Sequence, residues 1–124
     1  MTYYVNKETV GIYPAGEANM GRAKAARLVA GVWEKPANGG KCAGIVLNDT
    51  NLDGEVLTVQ TAGIAKVVCA TSTLAIDSLV TVDTDGQIRG VAGSSDYILG
   101  QVLEAGAAGK IVPVLLAIDA IPKA

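Results

Sequence analysis

The feature that most restricts the fold is a succession of short aliphatic runs, each closed by a turn. They read "AGIVL", "EVLTVQ", "GIAKVVC", "SLVTVD", "QIRGVA", "YILGQVL" and "KIVPVLLAI", punctuated by "NDTNLDG", "TAG", "DTDG", "GSSD" and "EAGAAG". Runs of Val, Ile and Leu this short suit a pleated, half-buried surface, whereas a helix needs longer segments with a 3.6-residue period. Seven of them at close spacing predict an all-β fold, a small antiparallel β-barrel or sandwich of about seven strands. The 124 residues include no Phe, so the core must be built from Val, Ile, Leu and Ala. A single domain of this length buries roughly two-thirds of its unfolded surface.

Turn chemistry sharpens that expectation. Asp85 and Gly86, inside "VTVDTDGQIRGV" (Val80 to Val91), mark a hairpin, because both residue types tolerate left-handed backbone. One phrase occurs twice: "GIVLNDTNLDGEVLTV" (Gly44 to Val59) and "GQVLEAGAAGKIVPV" (Gly100 to Val114). Both read as a hairpin with Gly at the tight turn. Pro113 interrupts the last run, which suits an edge strand or a bulge. An exposed edge is a place where a neighbouring subunit's arm can add a strand.

The leading third differs. "ANMGRAKAARLV" (Ala18 to Val29) is rich in Ala, Arg and Lys but has no apolar stripe and no capping box, so it reads as a short helix or an extended arm. "EKPANGGK" (Glu34 to Lys41) then reads as a linker. The expected organisation is an N-terminal arm and linker over 1–41 and a β-rich body over 42–124. Charge follows the same division: six basic and three acidic side chains in 1–41, four basic and nine acidic in 42–124. Tyr3, Tyr4, Tyr13 and Trp33 lie in the arm and only Tyr97 beyond it. Aromatic and Arg side chains are enriched where proteins meet partners, so Tyr3, Tyr4, Tyr13, Arg22, Arg27 and Trp33 are the candidate interface residues. The alternative is that the aromatic rings pack over the end of their own barrel. The interface reading predicts that deleting residues 1–33 removes attachment and leaves the β-rich body folded.

Chemistry by side chain is sparsely provided for. "EAGAAGKIV" (Glu104 to Val112) resembles a phosphate-binding loop only in its Gly-Lys pair: Glu104 stands where the first Gly belongs and Ile111 where a hydroxyl should hold magnesium. With no His, the usual general base at neutral pH is missing, and no enzymatic activity and no cofactor are expected. Cys42 and Cys69 are too few for a zinc site; they read as reduced interior residues, with a bridge between them left open. "DTNLDGEVLTVQ" (Asp49 to Gln60) matches the first half of a calcium loop, with Asp49, Asn51 and Asp53 at alternating positions. Its twelfth residue is Gln60 instead of Glu and its flanks read as strands, so a polar turn accounts for the same letters. Asp83 and Asp85 flank a turn and read as solvated, and Lys66 and Arg89 as pointing outward from strands. No dense basic cluster with interleaved aromatics supports nucleic-acid binding, and no membrane segment or signal peptide is visible. A soluble chain made in a cytoplasm is the expectation.

"TAGIAKVVCATSTLAIDSLVTVDTDGQIRGVAGSSDYILGQVLEAGAAGKIVPVLL" (Thr61 to Leu116) resembles the capsid cement, or head decoration, proteins of tailed bacteriophages, most specifically through "LEAGAAGKIVPVLL" (Leu103 to Leu116). The resemblance covers somewhat under half of the chain. It implies a β-rich virion protein, frequently trimeric, that clamps adjacent major capsid proteins from outside the shell, has no enzyme activity and is made in the host cytoplasm. The competing reading is a calcium-binding or carrier-type β-barrel module. A carrier needs its modified Lys at an exposed turn tip, and Lys110, after Gly109, is the nearest candidate.

Overall fold

Each of the seven aliphatic runs contains a strand, and the segment before them contributes three more. The computed structural model describes residues 8–49, 51–70, 73–93 and 95–117. Its strands are β1 (Glu8–Val10), β2 (Ala25–Val29), β3 (Val32–Glu34), β4 (Gly44–Val46), β5 (Val59–Ala62), β6 (Ile64–Val68), β7 (Leu79–Val82), β8 (Ile88–Gly90), β9 (Gly100–Val102) and β10 (Ile111–Leu116). They form two five-stranded antiparallel sheets, ordered β1-β5-β4-β2-β3 and β6-β10-β9-β7-β8. The sheets do not close into a barrel; the arrangement is sandwich-like, and no helix occurs among the described residues.

Adding five to each strand of the first sheet gives the second, so the chain contains one unit twice. The correspondence extends to single residues. Gly44 lies opposite Ala26 as Gly100 lies opposite Val80. Val46 pairs with Val59 as Val102 pairs with Val114, and Leu28 with Trp33 as Val82 with Ile88. Parallel bridges Ala15 to Trp33 and Cys69 to Ile88 occupy the same place in each half. Even an unusual backbone state is shared: Ala23 and Asp77 are left-handed, with φ of 63° and 69°, and donate to Val46 O and Val102 O, each at 2.9 Å. The phrase that occurs twice in the sequence is therefore the β4–β5 and β9–β10 hairpins of two copies of a larger repeat.

Each unit has its own core at matching positions. Ala15, Met20, Ala26, Trp33, Val46, Leu57 and Val59 form the first; Cys69, Leu74, Val80, Ile88, Val102, Val112 and Val114 take their places in the second. The second core also includes Ala25, Cys42 and Ile45 from the first unit. Strand alternation explains this, since successive residues face opposite sides: Ala26 and Val46 turn into the first core while Ala25 and Ile45 turn into the second. The first sheet is thus covered on both faces around β2 and β4.

Three sequence expectations change. Ala18 to Val29 forms no helix; its end is β2, paired with β3 and β4. The described part of the expected arm supplies β1, β2 and β3 of the first sheet, so deleting residues 1–33 would remove strands and core residues. Pro113 sits in β10, between β6 and β9, with unbroken register from Ile111 to Leu115 against β6, which is neither an edge nor a bulge. It is tolerated because β9 ends at Val102 and Pro113 has only to accept, from Leu103 N at 2.9 Å. In the first unit the matching residue is Thr58, whose amide donates to Asn48 Oδ1 at 2.8 Å; the side-chain acceptor becomes unnecessary once the donor is proline.

Candidate functional site

The candidate interface residues are dispersed by the fold. Tyr3 and Tyr4 lie outside the described residues. Trp33 is 1% exposed, in the first core, and the half-buried Tyr13 meets it edge to face, with ring centroids 6.2 Å apart and planes at 77°. In the isolated chain these two rings pack on their own sheet, the alternative that the sequence left open. Arg22 and Arg27 remain accessible. Arg22 Nη1 is 3.1 Å from Asp49 Oδ1, and Arg27 Nη2 is 3.4 Å from Glu34 Oε1 across the β2–β3 pair. Exposed ion pairs of this kind contribute at most about 1 kcal/mol, which leaves the Arg22 guanidinium and the outer nitrogens of Arg27 available to a partner, the Arg27 Nε being buried.

The calcium candidates do not converge. Asn51 is buried, and its Oδ1 accepts from Met20 N at 2.9 Å. Its Nδ2 donates to Glu17 O at 2.8 Å and to Leu52 O at 3.0 Å, so it pins the Asp49–Gly54 loop to the segment before β2. Asp49 is held by Arg22, Asp53 faces solvent, and Gln60 Nε2 donates to Ala62 O and Ile64 O. The alternating polar residues are turn and packing devices, and among the described residues no group of three or more His, Cys, Asp or Glu side chains is placed to hold a metal ion. Lys110 lies 3.9 Å from Glu104 and donates to Ala105 O at 3.1 Å.

Neither Cys42 nor Cys69 is in a disulfide, and both are buried. Burial pushes the Cys42 thiol up to about 12 against the smaller opposing pull of Arg27, so it stays protonated and unreactive at neutral pH.

The strongest polar cluster was not singled out in the sequence. Arg89 does not simply point outward: Nη1 and Nη2 contact Asp96 Oδ2 and Oδ1 at 3.1 and 3.4 Å, and Nε donates to Asn38 Oδ1 at 3.0 Å. Asp96 also accepts from the amides of Ala92 and Gly93. Its hydrogen bond from Arg89 and those amides hold its carboxyl down at about 2. Gly39 N donates to Val82 O and Tyr97 N to Gly39 O, so the cluster fastens the "EKPANGGK" segment to the second unit. Only the Pro-Gly composition of that segment was visible in sequence; its partners lie more than 40 residues away.

An open groove between the units is lined by Arg22, Leu47, Lys66, Glu104, Ile111 and Pro113 among others. No protein-family model matches the sequence, and no curated protein matches it. A solved structure does match the fold: the N base of the head fiber protein gp8.5 of bacteriophage phi29, with a TM-score of 0.73 over 90% of this chain and 97% of that one, at 13% identity.

Proposed function

We propose that this chain is a structural protein of a tailed-phage virion, attached to the outside of the head. The observation that carries the reading is the likeness of fold to a phage head-fiber base across both units, not across one shared hairpin. The resemblance of Thr61 to Leu116 to capsid cement proteins supports the same class independently. On this reading the chain is not an enzyme, takes no cofactor and is made in the host cytoplasm. Its partner is the major capsid protein, and it acts as a homo-oligomer, a trimer by analogy with cement proteins. Several weak contacts made by one oligomer become effectively intramolecular after the first, which gives tight attachment to a repeating shell. Binding the assembled shell in preference to its parts then stabilises the shell. Arg22 and Arg27 are the candidate contact residues that stay accessible among the described ones, and Tyr3 and Tyr4 remain candidates beside them.

Quantitative mass spectrometry of purified particles from the phage that encodes the chain tests this. Copies in a fixed ratio to the major shell protein are expected, together with a lower disruption temperature for particles that lack the chain. Absence from particles would overturn the virion reading; presence without any change in shell stability would remove the clamping role alone.

A further inference from the structure

The two units meet asymmetrically. The first offers the outer side of β2 and β4, and the second covers it: Ala25 N donates to Gly86 O at 2.8 Å, and Gly39 N to Val82 O at 2.7 Å. Gly86 closes the β7–β8 turn, so the second unit brings that hairpin tip to the joint. The tip carries Asp83 and Asp85, and its Gly86 lies against Lys24.

The internal repeat places an equivalent of each side of this joint on the surface. The β2–β3 tip, with Leu28 and Val29, is to the first unit what the β7–β8 tip is to the second. The outer side of β7, with Ile76, Ser78 and Leu79, corresponds to Arg22, Lys24 and Ala25. Inside the joint Ala25 is 3% exposed and Val82 1%; their counterparts Leu79 and Leu28 are 44% and 37% exposed, with Val29 at 43% and Ile76 at 58%. The chemistry has changed on both surfaces together. Where the inner joint sets an acidic tip beside Lys24, the outer surfaces have Val29 in place of Asp83, Ile76 in place of Arg22 and Ser78 in place of Lys24. Inside, Asp83 caps its own turn by accepting from the amides of Asp85 and Gln87, and Arg22 pairs with Asp49; outside, the matching Val29 and Ile76 are exposed and apolar.

We infer that the β2–β3 tip of one copy of the chain docks on the outer side of β7 of a second copy, a head-to-tail contact that repeats the joint between the units. Apolar surface gathered at two positions related by the repeat is what such a contact requires, and isolated exposed aliphatics elsewhere are not. Because the two surfaces differ, the contact is heterologous, and every copy offers one of each. This gives the homo-oligomer of the proposed function a defined contact, and it is tested without a capsid.

The test is native mass spectrometry and light scattering on the full chain. The wild type is expected to be oligomeric. Val29→Asp should weaken association about tenfold or more, because it places an unpaired carboxylate in an apolar contact. Adding Ser78→Lys to Val29→Asp offers a cation to the new carboxylate, at the position that matches Lys24 beside the acidic β7–β8 tip, and should restore the oligomer. Leu52→Asp, at a more exposed aliphatic outside both surfaces, should leave it intact. Circular dichroism confirms that each variant is folded. A mixture of Val29→Cys and Leu79→Cys chains should cross-link 29 to 79 and not 79 to 79, the native cysteines being buried. A monomeric wild type, an oligomer indifferent to Val29→Asp, or predominant 79-to-79 links would overturn the contact. None of these results depends on whether the protein is found on virions.

Discussion

At Gly100 the chain passes so close to its neighbour that a Cβ would collide with Leu115 O, and at the matching Gly44 one would meet Gln60 O and Val59 Cγ1, both at 2.5 Å. The obstacle at Gly100 is backbone in a central strand, which cannot rotate away. Gly100→Ala should therefore cost about 1–3 kcal/mol in urea denaturation, while Gly93→Ala, with nothing within 4 Å, should stay within about 0.5 kcal/mol. Asp96 gives the other test at this scale. Its folded-state pKa of about 2 lies below the usual carboxylate value, so its contribution is complete above roughly pH 4 and fades as pH falls towards 2. With the Arg89 and Asp96 side chains 20% and 13% exposed, solvent screening leaves about 1 kcal/mol of that. Stability measured against pH should accordingly show a step between pH 4 and 2 that Asp96→Asn removes.

Between strands, the informative comparison is of matching positions with different burial. Ile45 of β4 is fully buried in the core of the opposite unit, whereas Gln101, its counterpart in β9, is only partly covered. Ile45→Ala should cost about 2–4 kcal/mol and Gln101→Ala under about 0.5 kcal/mol, both read by chemical denaturation. The same asymmetry explains why β2 was illegible. "AARLV" looks helix-friendly because Ala25 and Ala26 are small, and they are small because cores lie on both sides of the strand. Tertiary packing overrode local propensity there. In the second unit Leu79 and Val80 occupy these places, and the aliphatic pattern declared a strand directly. Hairpins with Asp-Gly or Gly-Lys turns were legible for a related reason, since their geometry is fixed by a few adjacent residues: Gly54, Gly86 and Gly109 are all left-handed.

For the whole molecule, the sequence reading recovered the class and missed the duplication. Apart from the hairpin phrase, matching positions preserve burial more than identity: Trp33 answers Ile88, Met20 answers Leu74, Ala15 answers Cys69. Such pairs emerge only when strand register is known. The candidate interface fared similarly, since Trp33 shows the same one-letter code in a core as on a surface. Removing residues 1–33 takes away β1, β2 and Trp33; far-ultraviolet circular dichroism should therefore register a loss of β signal, not a trimmed but intact body. One feature of the cores also sets an order in time. Every member of the first core comes from the first unit, whereas the second core borrows Ala25, Cys42 and Ile45 from it. A ribosome delivers the self-sufficient unit first. The dependent unit then emerges onto a surface already formed to receive it, so the direction of translation and the dependence between the cores run the same way.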